Sequence, residues 1–567
     1  MSIVTDLKLA EGQIPGTAKK TLPPRSALRW LASFNSHDIA TVVLLAALLV
    51  VVLLTYKDYS ISNDEGVQHH YGELIIAYYT SGFANQDLFS FQNLYLYGGL
   101  FDIVAVTLSH LVPIDPYDLR HILCALTGIG GIAATAATAR LIAGPRAGLI
   151  AAIGLTLCGA WYGSMFNHTK DIPFAAAMMG ATLFLIRIAR RLPSPRAVDV
   201  AMFGLLAGAA LGIRVIGMLL VIYLGFAIAL NLPRPWRSNG RALLPFAARS
   251  MARTLPALLL AYVIMILAWP WAALAPLNPV RGLIAFSEFN YSIRTFLVGR
   301  IYEMADVPRL YVPIYIMIRV PLLMLSGAAL AMISTLWLNR ASNFGERRRR
   351  EIALLSLMVF FPLACQVIWN GPAFTGLRHF LFVIPVLAVL AGIGLDKALA
   401  ALAARGRIAA AGGLAILTSC LLWDAATMVR LHPYEYLYYN ALVGGLEGAS
   451  RRYDLDYWFG SMPEAIGSLE AYLRRTAPGD PNWPTEVYSV AVCGERLPFE
   501  KAVTLPQLRW DFMPQWNQSQ FFIASTHLNC DKDLDGEVVG TVERLGVTIA
   551  TIKDRRALTR PVATAKR

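Results

Sequence analysis

Charge is what this chain has least of. Only 15% of its 567 residues are Asp, Glu, Lys or Arg, against about a quarter in an ordinary soluble domain. Hydrophobic residues make up 56%, and the mean hydropathy is +0.51. That balance excludes a water-soluble globular protein, and repeated apolar runs near span length make the chain a polytopic α-helical membrane protein. Cysteines are few and none has a zinc-knuckle or thioredoxin spacing. Cys124, Cys158, Cys365 and Cys420 lie in or beside apolar runs and read as small core residues. Cys493 and Cys530 fall in the polar C-terminal region and could pair if it faces an oxidising compartment. There is no P-loop and no dinucleotide fingerprint, hence no soluble nucleotide-sugar site. No small-residue cleavage site follows the first apolar run, so a cleavable signal peptide is not expected.

Acids are outnumbered, 37 against 50 Lys and Arg, for a net charge of +13. Such an excess can signal nucleic acid, but here the basic residues cluster in short loops between apolar runs, which is membrane topology. About eleven spans are expected, at 38–55, 119–139, 147–164, 174–189, 199–213, 217–231, 254–272, 312–338, 352–369, 380–395 and 408–424. The fifth and sixth are short enough to be one hairpin bent around Arg214. With the N-terminus inside, Lys8 to Arg29, Arg140, Arg146, Arg187 to Arg196, Arg234, Arg237, Arg241 and the run Arg347 to Arg350 all fall on the inner side. The first outer loop, 56–118, has one lysine and eight acids. The chain thus divides into a cytoplasmic tail (1–37), a membrane domain (38–424) and a C-terminal domain (425–567) placed outside. Strand-like runs such as "TEVYSVAVCG" and "QFFIAST" make that last part a small α/β domain. Within the first outer loop, "LYLYGGLFDIVAVTLSHLVP" is best laid along the membrane surface, with Asp102 and His110 on its wet side.

Ionisable groups converge on the outer face. Just past the first span stands "NDEGVQHHYGE", with Asp64, Glu65, His69, His70 and Glu73. His168, Lys170 and Asp171 sit in "NHTKDIPF", Arg120 in "DLRHILCAL", and Arg378 and His379 in "GLRHFLFVIP". Ionisable residues at a membrane boundary are candidates for function. Plainer readings stand beside this one. The acidic pair suits a solvated loop, and Lys170 and Arg120 suit snorkelling to lipid headgroups. His69 and His70 suit surface histidines, although His69 and Glu73, at i and i+4, also suit a metal on a helix. A joint use accounts for all four groups: a carboxylate as general base on an acceptor hydroxyl, with nearby cations receiving a departing phosphate.

At these residues the chain resembles the GT-C glycosyltransferase superfamily, in the branch of protein O-mannosyltransferases and bacterial aminoarabinose transferases. The matching stretches are "NDEGVQHHYGE", "DLRHILCALTG", "KDIPF" and "RHFLFVIPVLAVLAG". A further match is "HPYEYLYYNALVGGLEGASRRYDLDYWFGSMPEAIGSLEAYL", similar to a segment that follows the last span in bacterial relatives. Together these cover about residues 38 to 475. The resemblance implies a GT-C-like fold and a polyprenyl-phosphate-sugar donor. It implies Asp64 as catalytic base, Glu65 beside it, and Asp171 as the second outer-loop acid. Arg120, Lys170 and Arg378 would hold the donor phosphate, with His168, His379 and Glu73 at the substrate. His168 and Lys170 depart from the apolar and neutral residues usual ahead of the second acid, and His379 stands where tyrosine is frequent. The C-terminal domain matches no MIR domain. The expectation is an inverting transfer to an extracytoplasmic glycan, lipid or protein, from a multi-pass protein of a bacterial inner membrane with its C-terminal domain periplasmic. No nucleic acid is expected as partner, and metal dependence is left open. Two rivals remain. A lipid or solute transporter would show repeated halves, which the sequence lacks. A non-catalytic scaffold would tolerate loss of Asp64, Lys170 and Arg378 independently.

Overall fold

Asn35 caps the first apolar helix: its side chain accepts from the backbone N–H of Asp38, whose carboxylate accepts in return from Asn35. In a computed structural model that describes residues 35–233, 242–288, 291–335, 343–476 and 485–559, this helix, α1 (Ser36–Thr55), opens a helical bundle. It is followed by α2 (Asn63–Thr80), α3 (Leu100–Ser109), α4 (Pro116–Ala143), α5 (Pro145–Thr156), α6 (Asp171–Ala189), α7 (Ala197–Leu211), α8 (Leu219–Leu230) and α9 (Leu243–Ala268). Then come α10 (Asn278–Ser287), α11 (Tyr311–Arg319), α12 (Leu322–Ser334), α13 (Asn343–Trp369), α14 (Ile384–Ala404) and α15 (Arg407–Leu431).

Ion pairs fix which ends of these helices lie together. Asp38, at the start of α1, receives Arg140 from the end of α4 at 2.6 Å; Arg146 meets Asp396 at 2.5 Å, and Arg190 meets Glu351 at 2.5 Å. The basic loops therefore gather at one end of the bundle. The end of α1 and the starts of α4, α6 and α14 gather at the other, which is where the candidate residues sit. The N-terminal basic residues Lys8 to Arg29, and Arg234, Arg237 and Arg241, lie outside the described residues. Small residues let α14 lie against its neighbours. A Cβ on Gly394 would come within 1.9 Å of the Gly327 carbonyl oxygen, and one on Gly392 within 2.4 Å of that of Ala147.

Helices occupy all the positions expected to span. Among the described residues seven are long and apolar enough to cross a membrane, and an eighth candidate is the pair α11 and α12, bent by 112°. Pro321, which opens α12, accounts for that break. The other three positions hold shorter helices: α5, α7 and a segment from Val215 to Leu230. Gly144 and Pro145 stop α4 and start α5, and an apolar count does not distinguish a short buried helix from a span. One expectation is corrected: Asp102, on α3, faces inward. It is 3% exposed and accepts from Arg120 at 2.7 Å, because an arginine enclosed at the start of α4 needs a carboxylate. His110 is exposed as expected.

Two short strands, β1 (Arg294–Leu297) and β2 (Arg300–Glu303), form a hairpin in the loop before α11. After α15 an irregular segment leads to α16 (Met462–Thr476) and a five-stranded sheet. The sheet is β3 (Tyr488–Val492), β4 (Leu508–Asp511), β5 (Phe521–Ser525), β6 (Glu537–Arg544) and β7 (Val547–Asp554), in the order β4-β3-β5-β7-β6. β3 runs parallel to β4 and β5, and α17 (Arg496–Ala502) makes the β3-to-β4 crossover. Cys493 and Cys530 form a disulfide across it. This sheet domain docks on the first loop: Lys501 meets Asp115 at 2.9 Å, and Leu497 packs where a Cβ on Gly66 would stand.

Candidate active site

Four of the expected residues meet at one point. Asp64 lies in the first turn of α2, about one-third exposed, with its carboxylate against a guanidinium nitrogen of Arg378. Arg378 stands on the turn that leads into α14, and its Nε donates to Asp171 Oδ2 at 2.8 Å. Asp171, 3% exposed at the start of α6, accepts on its other oxygen from Arg214. Arg378 thus bridges both carboxylates.

Lys170 completes the cluster. It is 8% exposed, its ammonium lies 4.4 Å from the centre of the Tyr97 ring, and among the described residues no carboxylate stands within ion-pair distance. Three cations against two carboxylates leave one positive charge unanswered. Burial pulls the Lys170 ammonium below its ordinary pKa; Asp64 opposes this, while Arg214 and Arg378 add to it. Burial would raise the Asp64 carboxyl, but the charges of Arg378 and Lys170 outweigh it and hold the group below the usual carboxylate range.

Two histidines flank the cluster. His168 is 1% exposed, its Nε2 is paired with the Tyr457 hydroxyl, and burial lowers its pKa to about 3, so the ring is neutral. His379 stacks edge-on with Phe374, ring centres 4.6 Å apart. It also lines a cavity of about 590 Å³ together with Tyr97 and Arg214, and Arg214 lies 6.0 Å from the Tyr97 ring. Most of the remaining lining is apolar, with Leu219, Ile222, Phe361 and Phe382 among others, and Ser287 and Gln366 are its other polar side chains.

The remaining three candidates sit apart from this meeting point. Glu65 is fully buried; it accepts from the Ser62 backbone N–H at 2.7 Å and contacts His121 Nε2 at 3.2 Å. It closes a capping box at the start of α2. Arg120 is fully buried in a cage of Asp102, Gln68 at 3.2 Å and Thr169 at 3.1 Å, the last of these next to Lys170 in the chain. Glu73 is about half exposed, with His70 Nδ1 at 2.9 Å and His69 Nε2 at 3.7 Å. Among the described residues the one set of three potential ligand groups within 4.8 Å is Cys493, Cys530 and Asp533, and its cysteines are bonded to each other. The carboxylates of Asp64 and Asp171 are taken by guanidinium groups, so a divalent cation there would meet three positive side chains. The donor set does not fit one.

Arg214 and Trp458 belong to the site without having been singled out for it. Arg214 was visible as the charge that interrupts two apolar runs, and such a residue is a candidate by default. Trp458 lies under the Arg378 guanidinium, 4.3 Å from ring centre to its central carbon; only its place in the "DYWFG" segment hinted at it.

No family model matches the chain and no curated protein matches it. Solved structures do resemble it. ArnT from Cupriavidus metallidurans bound to undecaprenyl phosphate aligns over 90% of this chain and 97% of its own, at 15% identity and a TM-score of 0.43. The oligosaccharyltransferase AglB from Archaeoglobus fulgidus, in complex with an inhibitory peptide and a dolichol-phosphate, aligns over 85% and 69%, at 13% identity and 0.44. The arabinofuranosyltransferase AftD from Mycobacteria aligns over 90% and 41%, at 13% identity and 0.41. The likeness runs through most of the chain.

Proposed function

We propose that this protein is an integral membrane glycosyltransferase that moves a sugar from a polyprenyl-phosphate donor to an acceptor hydroxyl, with inversion. The observation that carries this reading is the mostly apolar cavity among the spans, whose lining includes Arg214, part of a buried cluster with one unanswered positive charge. A lipid chain fits the first and a phosphate the second. Arg378, Arg214 and Lys170 hold the phosphate, and Asp171 aligns the two arginines. Asp64, the most open of the two carboxylates, takes the proton of the acceptor hydroxyl. The acceptor oxygen bonds to the anomeric carbon, the bond from that carbon to the phosphate oxygen breaks, and polyprenyl phosphate leaves with the electron pair. Arg120, already neutralised by Asp102, supports Thr169 next to Lys170. The disulfide in the docked sheet domain and the basic loops at the opposite end support a site on the extracytoplasmic side of a cellular membrane.

The test is release of polyprenyl phosphate from a panel of polyprenyl-phosphate sugars by the protein in lipid nanodiscs, with a lysate of candidate acceptors. Release by the wild type and its loss in Asp64→Asn support the reading. Intact donors combined with movement of labelled lipid across the bilayer overturn it in favour of a flippase.

A further inference from the structure

The segment that follows α15 returns to the site and is held there at several points. Tyr59 donates to the Glu435 carboxylate at 3.1 Å, and Arg319, 5% exposed, donates to the Tyr436 carbonyl and lies 4.6 Å from the Tyr439 ring. Asp454, fully buried, accepts from the Phe296 backbone N–H at 2.9 Å and from the Tyr311 hydroxyl at 3.0 Å. Two residues on, Asp456 accepts from the backbone N–H of Gly460 at 2.6 Å and of Ser461 at 3.1 Å, and from the Tyr436 hydroxyl. These bonds close a turn over 456–461. Position 460 has no room for a side chain, since a Cβ would come within 2.5 Å of the Tyr436 oxygen. The turn is therefore rigid, and what it presents is Tyr457 and Trp458.

Trp458 is 7% exposed and wedged between two site residues, with its ring 4.1 Å from that of His168 and 4.3 Å from the Arg378 guanidinium carbon. Tyr457 pins the far side of His168 through its hydroxyl. A purely apolar filler would not be expected against a buried charge, whereas an indole face attracts one. We propose that Trp458 is a positioning residue: the rigid turn holds its ring under Arg378, fixing that guanidinium between Asp64 and Asp171 and so setting the affinity for the donor phosphate. This rests on the glycosyltransferase reading above.

The experiment compares wild type, Trp458→Leu, Trp458→Phe and Trp458→Met in nanodiscs. It reads binding of polyprenyl phosphate, donor KM and kcat, and the pH profile of kcat/KM. Leu and Met keep bulk without a ring, and Phe keeps a ring. The expected result is polyprenyl phosphate binding weakened about tenfold or more in Leu and Met, with KM rising more than kcat falls, and most of the loss recovered in Phe. With Arg378 loosened, the acid limb set by Asp64 also moves to higher pH. The charged and titratable groups facing Asp64 are Arg378 and His379 before α14, His168, Lys170 and Asp171 at α6, and Tyr97; Trp458 touches Arg378 and His168, and of these two only Arg378 is charged, since burial keeps His168 neutral. Unchanged binding and pH profile in Leu or Met, in a folded protein, would overturn the proposal while leaving the enzyme class standing. If both fail to fold, Phe decides alone: wild-type binding with a shifted limb would overturn it. A wild type that neither binds nor releases polyprenyl phosphate removes the glycosyltransferase reading, and this proposal with it.

Discussion

Arg378 holds two carboxylates at once, and that sharing sets the chemistry available to Asp64. A carboxylate whose pKa is held low is charged over the whole working range, so as the proposed base Asp64 would be ready at any ordinary pH, though each cation that lowers the pKa also weakens it as a proton acceptor. On the proposed reading, an incoming phosphate would compete for Arg378 and Lys170 and so restore basicity to Asp64 once the donor is in place. The sign of the pH dependence follows: activity falls as pH drops through the lowered pKa of Asp64. Arg378→Gln removes the first of the two cations, so its acid limb should lie at higher pH than that of the wild type, with a drop in turnover. A limb that stays put in Arg378→Gln would show that Asp64 is not the titrating base. Asp64→Asn should lower turnover by about 100-fold or more, the usual worth of a positioned base, with donor binding retained. His168, neutral because of burial, should contribute no limb near pH 6.5, the ordinary histidine value. His168→Gln should leave the shape of the profile between about pH 5 and 8 unchanged.

At the scale of elements, the site exists because helix ends are tied together at the end of the bundle that carries it. One tie is the Asp58–His432–Glu435 clasp, which joins the end of α1 to the segment after α15, with His432 Nδ1 at 2.8 Å from Glu435 and Nε2 at 3.1 Å from Asp58. The hydrogen bond to Glu435 is the largest cause and raises the pKa of His432; burial opposes it, and the charge of Glu435 with the hydrogen bond and charge of Asp58 add to the rise. A histidine whose folded pKa is raised stabilises the fold fully below its unfolded value, about 6.5, and that stabilisation is lost as pH rises through the folded value. Thermal unfolding of the wild type should therefore move down between about pH 6 and 8 by more than that of His432→Gln. Equal slopes would assign the clasp no role. Further along α14, toward the basic end, close packing holds it against α12: Gly394→Val forces a side chain into the Gly327 carbonyl and should cost about 1–3 kcal/mol or prevent assembly.

Elements are also where the sequence was most and least legible. Apolar runs located every helix long and apolar enough to cross a membrane among the described residues, because a bilayer demands about twenty apolar residues whatever their neighbours. At three of the expected positions the helices are shorter than a full span, Pro145–Thr156, Ala197–Leu211 and Val215–Leu230, and an apolar run alone does not set helix length. Lys170, Asp171 and Arg378 stood out as charges against apolar flanks. Glu65 carried two meanings at once: it neighbours Asp64, yet Ser62 three residues before it spells a capping box, and the cap is the contact its side chain makes. The pairing of Arg120 with Asp102 was illegible because it depends on how α3 and α4 cross. Trp458 was hidden because nothing local ties a turn after the last span to an arginine before α14.

For the whole molecule, the question is which side of the membrane this assembly faces. The docked sheet domain, the candidate site and the Asp58–His432 clasp all belong to one end of the bundle, and the domain carries the disulfide. Cutting that bond by Cys493→Ser should loosen the domain by about 2–4 kcal/mol, a usual contribution of such a bond, while Cys124 and Cys158 stay buried in the bundle. The same bond reports sidedness. In intact cells, an impermeant maleimide added after an impermeant reductant should label Cys493 and Cys530, mapped by mass spectrometry, and should leave both unlabelled without reduction. Labelling that requires the cells to be opened would put the domain, and with it Asp64 and Lys170, on the cytoplasmic side. The acceptor would then have to be sought there, and the basic loops at the far end would run against the inside-positive bias of membrane proteins.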